Sequence, residues 1–233
     1  MNKQLETLIK RYPALSVCEE EIEKAYEILE ECFASGHKLL IAGNGGSCAD
    51  GEHIAGELMK GFKLQRKCTE EFAKKLKSID AERGAELAEK LQGGLPTIAL
   101  DNHQALNTAY VNDVENGGLL TYAQQVYGYG KAGDVLLGIS TSGNSKNVAY
   151  AAVVARAKGM KVIGLTGAKG GNLANAADVT IKVPETETYM IQELHLPVYH
   201  CLCLMLEERF FGGNYQPYFK PSPRGEGVCE ADG

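Results

Sequence analysis

The sequence predicts an α/β fold: a doubly wound parallel sheet of five strands, covered by helices on both faces. Three observations carry this. Short runs rich in Val, Ile and Leu recur five times between residues 38 and 183, each continuous rather than alternating, as strands buried on both faces are. Stretches with helical spacing of apolar residues separate them. Loops rich in glycine or hydroxyl residues follow the first and third runs, where a strand gives way to a helix.

Size and composition agree. The chain has 233 residues, 44% hydrophobic and 23% charged, which are ordinary globular values and exclude a disordered or fibrous protein. A chain this long should bury roughly 70% of the surface its unfolded form exposes, so its core needs no disulfide staples. The seven cysteines (Cys18, Cys32, Cys48, Cys68, Cys201, Cys203, Cys229) are odd in number and form no CxxC pair, which predicts free thiols in a reducing compartment. No apolar run reaches the roughly 18 residues of a membrane span, and MNKQLETLIKRYP lacks an apolar signal core, so a cytoplasmic protein is expected, with no membrane partner. The net charge of −6 argues against a nucleic-acid partner.

Residues 1–36 read as N-terminal helices. Leu5, Leu8 and Ile9 are helically spaced, Pro13 breaks the run, and a second helix is expected from Ser16 to Ala34, with Ile22, Ala25, Ile28, Leu29 and Cys32 on its apolar side. These helices have two places to pack, their own domain or a neighbouring subunit. The main domain spans 37–211, with strands expected at Lys38–Ala42, Thr97–Leu100, Asp134–Ile139, Lys161–Leu165 and Val179–Val183. Residues 69–91 carry many charges at helical spacing and read as an inserted surface helix or helix pair. The last helix is expected from Thr186 to Phe210, and 212–233 turns to Gly, Pro and charge, a loosely ordered tail.

Ligands of open parallel sheets bind beyond the carboxyl ends of the strands, where two loops stand out. Gly43-Asn44-Gly45-Gly46-Ser47 precedes a helix; its glycines let a ligand approach the backbone, though such a turn also serves tight packing. The spacing is not GxGxxG, which counts against a dinucleotide. Ser140-Thr141-Ser142-Gly143-Asn144-Ser145 offers four hydroxyls ahead of a helix expected over Lys146–Lys158. A helix cap needs one hydroxyl, not four, so the loop reads as a neutral phosphate cradle. No Walker lysine follows either loop, which argues against nucleotide hydrolysis.

His53 and Glu57 are four apart on the helix leaving the first loop and share a face. Gln192 and His200 lie two turns apart on one side of the last helix, with Glu193 and His195 between them. A carboxylate and an imidazole brought together suit proton shuttling next to a carbonyl, and two His with a Glu and an amide oxygen suit zinc. Each histidine taken singly is more often structural, and His37 and His103 stay in that class.

In order, these motifs are GNGGS, His53 and Glu57, Asn112-Asp113, GISTSGNS over 138–145, IQExH from Ile191, and His200. Together they resemble the sugar isomerase (SIS) domain family, and within it the phosphoheptose isomerases, over about residues 15–210. The resemblance implies a homotetramer with active sites built where subunits meet. It also implies conversion of sedoheptulose 7-phosphate to D-glycero-D-manno-heptose 7-phosphate, for surface glycans. By motif, Asn44, Gly45, Gly46, Asn112, Asp113 and Gln192 would contact the sugar, and Ser140, Thr141, Ser142 and Ser145 the phosphate. Glu57 would move a proton between C1 and C2 through an enediol, with His200 as the acid. Some members bind zinc, at positions that correspond to His53, Glu57, Gln192 and His200. A tight zinc ligand is not an unencumbered base, so the resemblance leaves Glu57 two roles.

The sequence departs from the family in the 69–91 insertion, in Tyr189 where an acidic residue is usual, and in Pro197, expected to kink the last helix between Gln192 and His200. Two other readings compete. One is a non-catalytic SIS protein that binds the replication initiator, against which Glu57 and His200 both stand; the other is an isomerase or sensor for another phosphosugar.

Overall fold

The computed structural model describes residues 2–213. Helix α1 (Lys3–Arg11) leads through a 3-10 segment, Pro13–Cys18, into α2 (Glu19–Ala34). The expected second helix thus starts as a tighter turn, because Pro13 supplies no N–H and sits at its first position. Then follow β1 (Leu39–Gly43), α3 (Gly46–Met59), α4 (Glu70–Ile79), α5 (Ala81–Lys90), β2 (Thr97–Ala99), α6 (Gln104–Asp113) and α7 (Gly117–Tyr129). The chain continues through β3 (Val135–Ile139), α8 (Lys146–Ala157), β4 (Lys161–Thr166), α9 (Gly171–Ala176), β5 (Val179–Lys182) and α10 (Thr188–Phe211). Helix α10 runs on through Pro197.

All strand pairs are parallel, in the order β2-β1-β3-β4-β5. Because side chains alternate across a strand, each strand feeds two cores. Leu39, Ile41, Val135, Leu137, Ile163 and Ile181 face a layer that includes α1, α2 and α10. Leu40, Ala42, Leu136 and Val162 face α7 and α8 through Tyr122, Val126, Val148 and Ala152. Every residue of β1 and β3 is buried, which explains the unbroken apolar runs. Asp134 pins the start of β3 to β1: its buried carboxylate accepts from Lys38 N (3.1 Å), Lys38 Nζ (2.5 Å) and Lys131 N (2.8 Å). Burial alone would raise its pKa, but these donors win and hold it below the usual carboxylate range.

The N-terminal helices pack on their own chain, α1 and α2 both against α10. The insertion is a helical hairpin: Thr69 caps α4 by accepting from Phe72 N, and Asp80 caps α5 by accepting from Glu82 N and Arg83 N. Its helices pack on each other, and neither buries a large apolar side chain; Phe72, Ile79 and Leu87 are exposed. The six described cysteines are free thiols. Cys229 and nearly all of the expected 212–233 tail lie outside the described residues. No helix among them is long and apolar enough to cross a membrane.

Since the hairpin supplies nothing to either core, replacing residues 69–91 by a short Gly-Ser linker should cost less than about 1 kcal/mol, roughly 2–4 °C in Tm. Thermal unfolding of that variant checks this; a loss several times larger would show that the hairpin supports the domain.

Candidate active site

The strand order reverses between β1 and β3, so a crevice opens at their carboxyl ends. Both loops lie there and are tied together. Asn44 Nδ2 donates to Asn147 Oδ1 (2.9 Å), and Asn147 Nδ2 donates back to Asn44 Oδ1 (2.8 Å). Neither Gly45, the N-cap of α3, nor Ser145, the N-cap of α8, caps its helix with a side chain. The first-turn N–H groups of both helices therefore lack side-chain caps from these residues.

The hydroxyls of the second loop have other partners. Ser140 Oγ and Ser145 Oγ hydrogen-bond at 2.9 Å, and Ser142 Oγ accepts from Asn144 N. Thr141 is half-buried between them. Gly143 has φ +68°, and a Cβ there would stand 1.9 Å from the Gly170 carbonyl, so only glycine closes this turn. The loop is thus shaped by its glycine and by hydroxyl pairing, and helix capping accounts for none of its four hydroxyls.

The first loop meets α10. A Cβ on Gly46 would come within 2.5 Å of Gln192 Nε2, so the missing side chain makes room for Gln192 against the glycine backbone. Further along α3, His53 Nε2 stands 3.1 Å from Glu57 Oε1, and His53 Nδ1 stands 3.0 Å from Tyr199 Oη. Tyr199 Oη donates to Asp50 Oδ1 at 3.2 Å. The His53 ring packs edge-on to His200, centroids 5.0 Å apart. Four residues of α3 and α10 thus form a chain, Asp50–Tyr199–His53–Glu57, with His200 beside it.

Tyr199 has one hydroxyl proton and gives it to Asp50, so His53 Nδ1–H must donate to the phenol oxygen. That leaves His53 Nε2 facing a Glu57 oxygen, and the two must share a proton or another cation. Glu57 Oε2, Asp50 Oδ2 and His200 Nε2 are buried without a hydrogen-bond partner. Burial holds the His200 imidazole below the ordinary histidine range and His53 adds to this, while Glu57 pulls the other way. Burial raises the Asp50 carboxyl, opposed by Tyr199 and His53, and raises the Tyr199 phenol further with Asp50 beside it.

Glu57 and His200 thus stand on two packed helices of the same chain, each against His53. The N-terminal helix reaches the same place: Arg11 and His200 both line a cleft of about 240 Å³ between α1 and α10. Asn112 and Asp113 end α6, exposed; Asn112 Nδ2 donates to Asp113 Oδ1, and no hydrogen bond among the described residues ties either to the two loops. His103 pairs with Tyr129 at the surface, and His37 lies 3.5 Å from Asp134. Sequence reading missed Asp50 and Tyr199. Asp50 had a signal, three residues before His53 on the same helix face, whereas Tyr199 shows its role only once α3 and α10 have met.

A profile of the SIS domain matches residues 8–93 and 78–167, more than half of the chain. The chain belongs to the SIS domain family. It is similar to the phosphoheptose isomerase of Geotalea daltonii, 38% identical over 194 residues, which span 82% of this chain and 85% of that one. It is 35% identical to the phosphoheptose isomerase of Aneurinibacillus thermoaerophilus over 210 residues, 90% of each chain. The solved phosphoheptose isomerase GmhA of Neisseria gonorrhoeae superposes with a TM-score of 0.67 at 32% identity, covering 87% of this chain and 94% of that one. The solved Francisella tularensis phosphoheptose isomerase gives 0.69 at 30% identity, with coverages of 88% and 94%.

The zinc expected from the family resemblance would find nitrogen and oxygen donors here. The Tyr199–Asp50 pair makes His53 Nδ1 the donor and turns Nε2 towards Glu57, as second-sphere groups do for metal-binding histidines, and Glu57 Oε2 and His200 Nε2 lack partners. As they stand, no three His, Cys, Asp or Glu side chains among the described residues form a closed metal-binding set.

The remaining histidine of α10, His195, is fully buried and neither ring nitrogen has a hydrogen-bond partner. Burial pushes it down to about 4, opposed by the Thr166 backbone, which lies near without making a bond of normal geometry. Between pH 4 and 6.5 the unfolded chain therefore binds a proton that the native chain refuses. This contribution to stability is complete above about pH 6.5 and falls by up to roughly 3 kcal/mol as pH drops towards 4. Denaturant titrations across that range should show a shallower acid loss in His195→Leu than in wild type; parallel curves would refute the assignment.

Proposed function

We propose that the chain is an aldose–ketose isomerase that interconverts sedoheptulose 7-phosphate and D-glycero-D-manno-heptose 7-phosphate through an enediol. The observation that carries this reading is the meeting of Glu57 with His53 and His200 beside the paired glycine and serine loops. Similarity to phosphoheptose isomerases over most of the chain supports the substrate.

The division of labour follows from the chemistry of each group. The hydroxyls of Ser140, Thr141, Ser142 and Ser145, with the N-terminus of α8, hold the phosphate without a counter-charge, the helix end adding roughly 0.3–1 kcal/mol. Asn44, Gly45, Gly46 and Gln192 hold the sugar near the first loop, with Asn112 and Asp113 as further contacts. The Glu57 carboxylate takes the proton from C1 of the ketose, and the C2 oxygen gains a proton as the enediol forms. Glu57 returns the proton to C2 while the C1 hydroxyl loses its own and becomes the aldehyde. His200, whose burial disfavours the charged form, suits hydrogen-bonding the two oxygens as their protons move, since a neutral imidazole donates with one nitrogen and accepts with the other.

Zinc on His53, Glu57, Gln192 and His200 is the other role the proposal gives these residues; a Glu57 held tightly by it would not be the free base just described, and the chelator arm below separates the two. A divalent cation there would take the place of the proton shared by His53 and Glu57, and when bound it supplies Lewis-acid stabilisation of negative charge on the sugar oxygens. A homotetramer and a cytoplasmic location complete the reading, in line with the family resemblance.

Purified protein incubated with sedoheptulose 7-phosphate should yield the heptose 7-phosphate, and product analysis with and without a chelator tests reaction and metal together. Glu57→Gln should lose about 10²–10⁴ in kcat, the range typical of a general base, with its elution volume in gel filtration unchanged; undiminished turnover would remove Glu57 from the mechanism. Ser142→Ala with Ser145→Ala should act chiefly on KM, and an unaltered KM would count against the phosphate cradle.

A further inference from the structure

Behind the acid–base pair lies a buried ion pair that the mechanism above does not use. Arg66, 1% exposed, donates through Nε to Glu207 Oε1 at 2.9 Å, and Glu207 is equally buried. The other two nitrogens of the guanidinium turn to the end of α3: Nη1 donates to the Leu58 carbonyl at 2.7 Å and Nη2 to the carbonyl of Glu57 itself at 3.0 Å. Helix α3 stops at Met59 and Lys60 is fully extended, so these carbonyls have no partner from a following turn. The arginine side chain takes that place, joined at Leu58 by Leu95 N, which donates to the same carbonyl at 2.9 Å.

Glu207 completes a clamp. Its two oxygens also accept from Phe62 N and Lys63 N, both at 2.8 Å. The ring of Phe62, held by this bond, packs on His200 with centroids 5.4 Å apart. Glu207 lies seven residues, two helical turns, beyond His200 on α10. The clamp therefore grips the backbone of the proposed base on one helix and the ring against the proposed acid on the other. The same segment is stitched to the base of the inserted hairpin, where Gly93 N donates to the Arg66 carbonyl and Gly61 N to Gln92 Oε1.

We infer that Arg66 and Glu207 are positioning residues for the isomerase reaction, fixing the distance between Glu57 and His200 rather than merely holding the fold. The inference rests on the isomerase reading. Arg66 has three donors aimed at three acceptors on two helices, and lysine keeps the charge but cannot reach all three. A displacement of Glu57 by about 1 Å is enough to cost up to 10²-fold in rate.

Arg66→Lys should lower kcat for sedoheptulose 7-phosphate by 10- to 100-fold with KM within threefold of wild type, because the phosphate loop lies on other elements. Circular dichroism and gel filtration should match wild type. Glu207→Gln, which keeps the shape but loses one acceptor, should give the same split between kcat and KM, and serves if Arg66→Lys does not fold. A folded variant with unchanged kcat overturns the inference, as does failure of both variants to fold, which would make the pair structural only. A wild-type protein inert towards this substrate overturns the isomerase reading and this inference with it; an active wild type with unaffected variants overturns the inference alone.

Discussion

Helices α3 and α10 pack on each other in a single apolar core that holds Ile54 and Leu58 from one and Val198 and Leu202 from the other. Each such side chain contributes about 1.5–3 kcal/mol when fully buried, and together they outweigh the roughly 1–3 kcal/mol it costs to bury a polar atom such as His200 Nε2 without a partner. The contact therefore dictates where the polar side chains fall. His53 and Glu57 ride on one helix, Tyr199 and His200 on the other, and the hydrogen-bonded chain from Asp50 to Glu57 exists only because the two helices are pressed together.

Around this contact the site separates binding from chemistry. The proposed phosphate cradle is made of neutral hydroxyls on the β3–α8 connection, anchored by Gly143 and tied to the first loop through Asn44 and Asn147. The titratable groups stand on α3 and α10. In the proposed reaction, binding energy gained at the phosphate, remote from the reacting carbons, orients C1 and C2. The unpartnered Glu57 Oε2 and His200 Nε2 are what a site prepared for a ligand should contain, since the fold alone gains nothing from them.

Much of this was legible in the sequence, unevenly and for physical reasons. Strands buried on both faces read as unbroken apolar runs, so β1, β3 and β4 fall within a residue or so of their expected bounds. The insertion resolves into two helices because Asp80 caps the second, a local signal available from spacing alone. Helix α10 passes through Pro197 unbroken, since its packing outweighs the one backbone bond that proline removes. Both loops and the pair Glu57 and His200 were visible as motifs. Their meeting within one chain was not, because it depends on how α3 and α10 pack. Nor were Tyr199, Arg66 and Glu207, whose roles lie in contacts with residues about 140 or more positions away.

The claim that one chain supplies both the carboxylate and the imidazole can be tested by subunit complementation. Glu57→Gln and His200→Gln, each inactive alone, are co-expressed, purified as a mixed population and assayed with sedoheptulose 7-phosphate. A site assembled by α3 and α10 of the same chain predicts that the mixture shows no more activity than its two components separately. Recovery of a substantial fraction of wild-type turnover would mean that Glu57 and His200 act across a subunit boundary, contradicting the account.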